Sequence, residues 1–348
     1  MRKLLRMLPR FQPFYAYVSQ PLNRRNRAEP SCHLFPKTAA FAGLPSADDD
    51  PSAVLLASSG IPPLLWCRRL RTLAEFEDLN RRESGILEAR AEIENALADA
   101  APAVEPSSLP GYCVVCRRYS VFLYDRKYSG AGKVNWRERM ICQACGLNNR
   151  LRLNAMALRS IVQNFGTEPK IYATEQLTPF ADYLRREHPS AEFSEFISPN
   201  ARPGSVNEHG IRHEDVTALS YPDASFDVLI CLEVLEHVPN YQAAIAEFSR
   251  VLRPGGYLLL SVPTALGSDE NIVRARVTPD GAIVHICTPE YHGDPLNPEN
   301  GILCFYHFGW KLLSEIKIAG FRDAFNDMYW SLLLGNIGSG QVLTTAIR

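Results

Sequence analysis

The chain has 348 residues, 46% of them hydrophobic, with a net charge of -1 and nine cysteines. That length allows two domains and that apolar content at least one large core, while the near-zero charge gives no global basic field for nonspecific capture of nucleic acid. No apolar run reaches the roughly 18 residues a membrane-spanning helix needs. The cysteines form two C-x-x-C pairs and five singles. Without a credible signal peptide, that pattern favours reduced thiols, a metal site and a cytoplasmic location over a disulfide framework. Residues 1–110 read differently from the rest, holding 12 of the 25 prolines. The first 28 residues carry seven Lys or Arg, and Arg6, Pro9, Arg10 and Pro13 break their apolar stretch, so no signal-peptide core forms. Residues 1–69 are expected to be a disordered or loosely packed tail, and 70–110 a helix and linker. The helix is placed at Leu70–Leu97, where Leu73, Phe76, Leu79, Ile86, Ala89, Ile93 and Leu97 make an intermittent apolar stripe.

Cys113-Val-Val-Cys116 and Cys142-Gln-Ala-Cys145 are separated by 25 residues. Each tight turn points two thiolates at one place, and Zn²⁺ takes four such donors in a tetrahedron. With all four positions filled, residues 111–150 are read as a closed, structural zinc-ribbon-like module; two free-thiol or redox pairs are the competing reading. Tyr119–Tyr124 alternates as a strand inside it. An amphipathic helix follows, whose Arg150 and Arg152 either face an acceptor phosphate or are solvated. From residue 151 to 348 the pattern is α/β. Strands are expected at Lys170–Thr174, Ala191–Phe196 and Ile211–His213, with a helix at Pro179–Glu187. Phe226–Leu232 and Tyr257–Val262 are short, bounded runs rich in Val, Ile and Leu, the pattern of strands buried on both faces of a parallel sheet. Between them Asn240 caps a helix carrying Ala244, Ile245, Phe248, Val251 and Leu252, and Pro254-Gly255-Gly256 is expected to stop it, completing a βαβ unit. Residues 264–306 form a long insertion at the carboxyl edge of the sheet, where ligands bind in such folds. His285, Glu290, His292 and Asp294 within it also offer metal donors, at spacings that match no metal motif. Phe308–Ala319 is expected to be a helix ended by Gly320, and Phe321–Tyr329 with Gln341–Ile347 a closing strand pair.

The pieces Asp215, LSYPDASFDVL, LEVLEHV and EFSRVLRPGGYLLLSVP occur in that order. Together they resemble the central part of class I S-adenosylmethionine-dependent methyltransferases of the type 11-like group. The resemblance covers about half the chain and implies a Rossmann-like seven-stranded sheet with S-adenosyl-L-methionine as cofactor. It implies that Asp215 lies near the adenine, that Glu236-His237-Val238 lies near the transferred methyl, and that Leu232–Leu235 lines both, with Glu233 facing solvent or cofactor. An acid ending the second strand should accept from both ribose hydroxyls, and Glu195 fits better than Glu192. The family's glycine-rich loop is missing: after the first strand the chain reads Ala173-Thr-Glu-Gln-Leu-Thr-Pro. Thr174 and Glu175 are the candidates there for the cofactor's ammonium or a bound water.

A hydroxyl acceptor requires a base, with His237 the first candidate and His292 the second. The four-cysteine segment, the T-E-Q turn and the P-E-Y-H-G-D-P run resemble bacterial methyltransferases associated with polysaccharide assembly. The expected function is O-methylation of a sugar, glycan or related small molecule. One alternative is an RNA methyltransferase gripping nucleic acid through the zinc module with Arg117, Arg118, Arg150 and Arg152. Another is a non-catalytic scaffold that has lost the cofactor with its glycines.

Overall fold

The computed structural model describes residues 66–101, 106–129 and 134–348. The expected tail lies outside them up to residue 65. Its last residues belong instead to strand β1 (Trp66–Leu70). The single helix expected over 70–97 is two, α1 (Leu73–Arg82) and α2 (Ser84–Asp99). Thr72 caps α1, its hydroxyl accepting from the Glu75 N–H at 3.2 Å. The helices part at Glu83, whose carboxylate turns away to accept from Trp66 Nε1 at 2.6 Å and Arg68 Nε at 2.9 Å.

A three-stranded antiparallel sheet follows, of β2 (Ser107–Cys113), β3 (Arg118–Tyr124) and β4 (Ile141–Cys142), with short helix α3 (Trp136–Arg139) before β4. Helix α4 (Asn149–Val162), capped by Asn148, runs from it into the main body. Then come β5 (Ile171–Ala173), α5 (Pro179–Glu187), β6 (Glu192–Phe193), β7 (Phe226–Leu232), a 3-10 turn at Leu235–His237, α6 (Tyr241–Val251) and β8 (Leu252–Ser261). Six short strands form ribbons in the insertion: β9 (Ile272–Val273), β10 (Ala275–Val277), β11 (Ile283–His285), β12 (Tyr291–His292), β13 (Ile302–Leu303) and β14 (Tyr306–His307). Helix α7 (Lys311–Ile318), β15 (Asp323–Trp330) and β16 (Val342–Ile347) close the fold.

The main sheet has seven strands in the order β1-β15-β16-β8-β7-β5-β6. Strands β8, β7, β5 and β6 are parallel, and β16, β15 and β1 run antiparallel to their neighbours. The third strand expected at Ile211–His213 is reduced to two isolated bridges, Glu195↔His213 parallel and Val206↔Arg212 antiparallel, so β1 makes up the count of seven at the far edge. The expected helix stop at Pro254-Gly255-Gly256 lies instead inside β8. The chain leaves α6 at Leu252, and a side chain at Gly256 would meet the Arg253 and Asp227 carbonyl oxygens at 2.8 and 3.1 Å. From β5 the chain steps outward to β6, then returns to β7 on the other side of β5. This reversal opens a crevice at the carboxyl ends of β5 and β7, the place where open parallel sheets bind ligands.

The small sheet is not a separate body. Phe122 of β3, Trp136 of α3 and Met140 pack in one core cluster with Trp330 of β15 and Ile337 of the segment before β16. Arg152 of α4 is fully buried between the two. It donates to the carbonyls of Met140 (2.7 Å), Leu147 (2.9 Å) and Gly335 (2.7 Å) and lies 4.3 Å from the Phe122 ring centroid. The solvated or phosphate-facing role expected of Arg152 is thereby overturned.

Candidate active site and four-cysteine module

A cleft of about 1870 Å³ opens over the carboxyl ends of β5, β6, β7 and β8. Thr174, Glu175, Glu195, Asp215, Leu232, Glu233, His237 and His292 all line it. Residues spread over nearly 120 positions of sequence converge there because each follows a parallel strand or sits in the insertion above the strand ends.

Thr174 and Glu175 occupy the turn where the glycine loop was expected. Both are buried, and Thr174 Oγ1 and Glu175 Oε1 have no hydrogen-bond partner. Glu175 Oε2 accepts from Thr178 Oγ1, the cap of α5, at 2.5 Å. Burial pushes the Glu175 carboxyl up to about 7, against the Thr178 hydrogen bond and Arg150, which favour the anion. Glu195, the expected ribose acceptor, already has partners. Its Oε1 accepts from the Gln176 and Leu177 N–H groups at 2.7 and 3.0 Å, so it holds the glycine-free turn in place. Asp215 Oδ1 similarly accepts from Thr217 N–H and Oγ1 at 2.8 and 2.7 Å, which fixes the bend after the residual third strand.

Glu233 lines the cleft and is also bound from behind. It has φ +55 at the end of β7, and Arg137 of α3 grips it with two contacts of 2.5 and 3.0 Å. Ser261 Oγ donates to it at 2.5 Å from the end of β8. Burial alone would raise this carboxyl, but Arg137 and Arg150 outweigh it and hold Glu233 well below the usual range. Arg137 also pairs with Glu138, which accepts from Arg150 Nε at 2.8 Å and Asn148 Nδ2 at 2.6 Å. The small sheet thus delivers a chain of alternating charges to the cleft. Arg150, like Arg152, is not a solvated helix face. The sequence reading missed Arg137 and Glu138; nothing in their spacing ties α3 to β7. Leu235, expected on the cleft, is instead fully buried in the core.

His237 Nδ1 donates to the Leu303 carbonyl at 2.8 Å, so its Nε2 carries the lone pair. His292 Nε2 donates to Glu290 Oε1 at 3.0 Å, and the two imidazole centroids are 4.9 Å apart. Contacts with Cys304, then Glu236, push His292 up to about 11. With no cation in the corner, these acidic neighbours favour the protonated imidazole. Glu236 was expected near this corner with His237, whereas Cys304 and His307 were missed as members of it. The three are not adjacent in the sequence, and His285 and Asp294 lie apart from the corner.

Cys113, Cys116, Cys142 and Cys145 gather with all four sulfurs within 4.8 Å of one another. Cys113–Cys145 and Cys116–Cys142 are separated by 3.8 and 3.9 Å between sulfurs. A tetrahedron with Zn–S bonds of about 2.3 Å has edges of about 3.8 Å. No S–S bond is formed among them.

Residues 172–260 match the family model described as "Methyltransferase domain". The chain is 40% identical over 83 residues to 27-O-demethylrifamycin SV methyltransferase of Amycolatopsis mediterranei (strain S699), covering 23% of this chain and 30% of that relative. It is 50% identical over 38 residues to a ubiquinone biosynthesis O-methyltransferase of Idiomarina loihiensis, covering 11% of this chain and 16% of the relative. The chain therefore spans less than a third of the length of these curated relatives. Among solved structures, an S-adenosylmethionine-dependent methyltransferase from Mesorhizobium loti is 15% identical with a TM-score of 0.30, covering 52% of this chain and 91% of that one. Residues 172–260, from β5 to β8 of the α/β sheet, are thus similar in sequence to a methyltransferase domain.

Proposed function

We propose that the protein transfers a methyl group from S-adenosylmethionine to a hydroxyl of a sugar, glycan or related small molecule. The observation that carries this reading is the convergence of Glu175, Glu195, Asp215 and His237 on one cleft at the switch point of a methyltransferase-domain sheet. Names of two relatives, a 27-O-demethylrifamycin methyltransferase and a ubiquinone O-methyltransferase, support oxygen as the acceptor atom.

The residues fit the cofactor on the chain's own evidence. Glu175 Oε1 and Thr174 Oγ1 are buried acceptors without partners, suited to an ammonium group. Arg137 and Arg150 flank them on the cleft wall, suited to a carboxylate. Glu195 keeps its second oxygen for the ribose, and Asp215 the corresponding oxygen for the adenine. S-adenosylmethionine supplies an electrophilic methyl whose sulfonium charge disappears on transfer. The protein's task is therefore to orient the acceptor and exclude water. The insertion over residues 264–306 would do both, and His237 Nε2 would take the hydroxyl proton. Residues 111–150 are read as a structural Zn²⁺ module that presents Arg137 and Arg150 to this cleft. With Arg152 fully buried, one member of the arginine set behind the RNA reading is lost.

Calorimetric titration of the zinc-replete protein with S-adenosylmethionine tests the reading, beside a Glu195→Ala/Asp215→Ala variant. Binding by the wild type and its loss in the variant are expected. No binding by a folded wild type would favour a scaffold. Salt-sensitive RNA binding would favour a nucleic-acid acceptor.

A further inference from the structure

Three electron-pair donors meet at the back of the cleft with nothing between them. Glu236 is fully buried, and neither carboxylate oxygen has a hydrogen-bond partner. Its Oε1 lies 3.6 Å from His237 Nε2 and 3.5 Å from His292 Nδ1. These separations are too long for hydrogen bonds. They suit a metal better, since a tetrahedral ion with ligand bonds of about 2.0–2.1 Å keeps its ligands about 3.3–3.4 Å apart.

The other ring nitrogens are already committed. His237 Nδ1 is held by the Leu303 carbonyl, and His292 Nε2 by Glu290, itself paired with Arg274 at 3.0 Å. A backbone carbonyl and a carboxylate at the far nitrogen are what orients metal-bound histidines and raises their basicity. The position is braced as well: the Phe305 N–H donates to the Glu236 carbonyl at 2.8 Å, tying the insertion to the 3-10 turn. We propose that Glu236, His237 and His292 bind one divalent transition-metal ion, with Glu290 and the Leu303 carbonyl orienting the two imidazoles. Three protein ligands leave a position open, and His237 and His292 line the cleft. That position faces the acceptor side, where a hydroxyl oxygen can become the fourth ligand and release its proton more readily to solvent in the cleft. The neighbouring set of Glu290, Cys304 and His307 is the weaker site, because an ion there would take Glu290 from His292.

Metal binding stands independently of methyl transfer, whereas the ion's action on an acceptor hydroxyl rests on the proposed function and replaces direct proton uptake by His237. The test uses the full chain, loaded anaerobically with Zn²⁺ in one arm and Fe²⁺ in the other, then desalted and assayed for metal content. Wild type should retain about one ion per chain more than Glu236→Gln and His292→Ala in at least one arm. Circular dichroism shows whether each variant is folded. Equal metal content in wild type and a folded variant, in both arms, overturns the proposal. X-ray absorption of the wild type alone gives a second decision. Nitrogen or oxygen ligands near about 2.0 Å in addition to sulfur support the site, and a purely sulfur shell overturns it. Neither result depends on S-adenosylmethionine binding, so failure here and failure of the methyltransferase reading are separable.

Discussion

Glu175 shows how a missing motif is replaced by a residue with an opposite demand. A glycine loop lets the backbone approach a cofactor; Glu175 instead places a buried acid there. Its carboxyl titrates at about 7 in the folded chain, against about 4.5 ordinarily. The folded state thus binds the extra proton, and the penalty for ionising Glu175 appears as pH rises from about 4.5 through 7. Glu175→Gln should therefore leave stability unchanged near pH 4 and raise it near pH 8. The gain at pH 8 is on the order of 3 kcal/mol at most, read from urea midpoints across that range. The same substitution should weaken S-adenosylmethionine binding, since the amide cannot ionise against an ammonium. Side chains of this kind were legible in the sequence because they directly follow strands: Thr174, Glu175, Glu195, Asp215 and His237 all reach the cleft. The burial of Glu236 and the reach of Arg137 were not. Glu236 looks like an ordinary helix-entry acid until its burial is seen, and Arg137 comes from another sheet altogether.

Helix α3 is only four residues long, yet it joins the cysteine module to the end of β7. Arg137→Ala leaves Glu233 at a left-handed φ without its main partner. The expected loss is about 2–3 kcal/mol, below that of a fully buried pair because both side chains keep some exposure. Arg137→Ala with Glu233→Gln should recover most of that loss in a double-mutant cycle on denaturant midpoints. If the cysteines hold Zn²⁺, chelation should do comparable damage at a distance, lowering the melting temperature of the whole chain in a single transition. Two separate transitions would show that the small sheet melts alone. At this scale the sequence located α6, β7 and the Tyr119–Tyr124 strand well, because apolar period and caps are local. It failed at Glu83 and at β1, where a distant tryptophan and a partner strand more than 250 residues away decide the structure.

Across the molecule, the module, α4 and the closing strand pair share their interior. Leu151, Leu158 and Ile161 of α4 pack in one cluster with Phe325, Tyr329, Leu334 and Leu343. A fragment beginning at residue 163 would bare that apolar face and leave the Gly335 carbonyl without Arg152. It should be insoluble or molten by dye binding and near-ultraviolet circular dichroism, while a fragment beginning at residue 66 should fold. The βαβ order was readable because parallel strands require crossovers; the union of the two sheets was not, since it rests on side chains that carry no periodic signal. The strand order also sets a schedule for synthesis. β16 is the last strand made, yet it lies between β15 and β8, with three further parallel strands beyond. A nascent chain on the ribosome must therefore carry β8 with one ladder edge unsatisfied until residues 342–347 emerge. That interval is when holdase chaperones have most to bind, and a premature stop only a few codons before β16 should send nearly the whole product to aggregates.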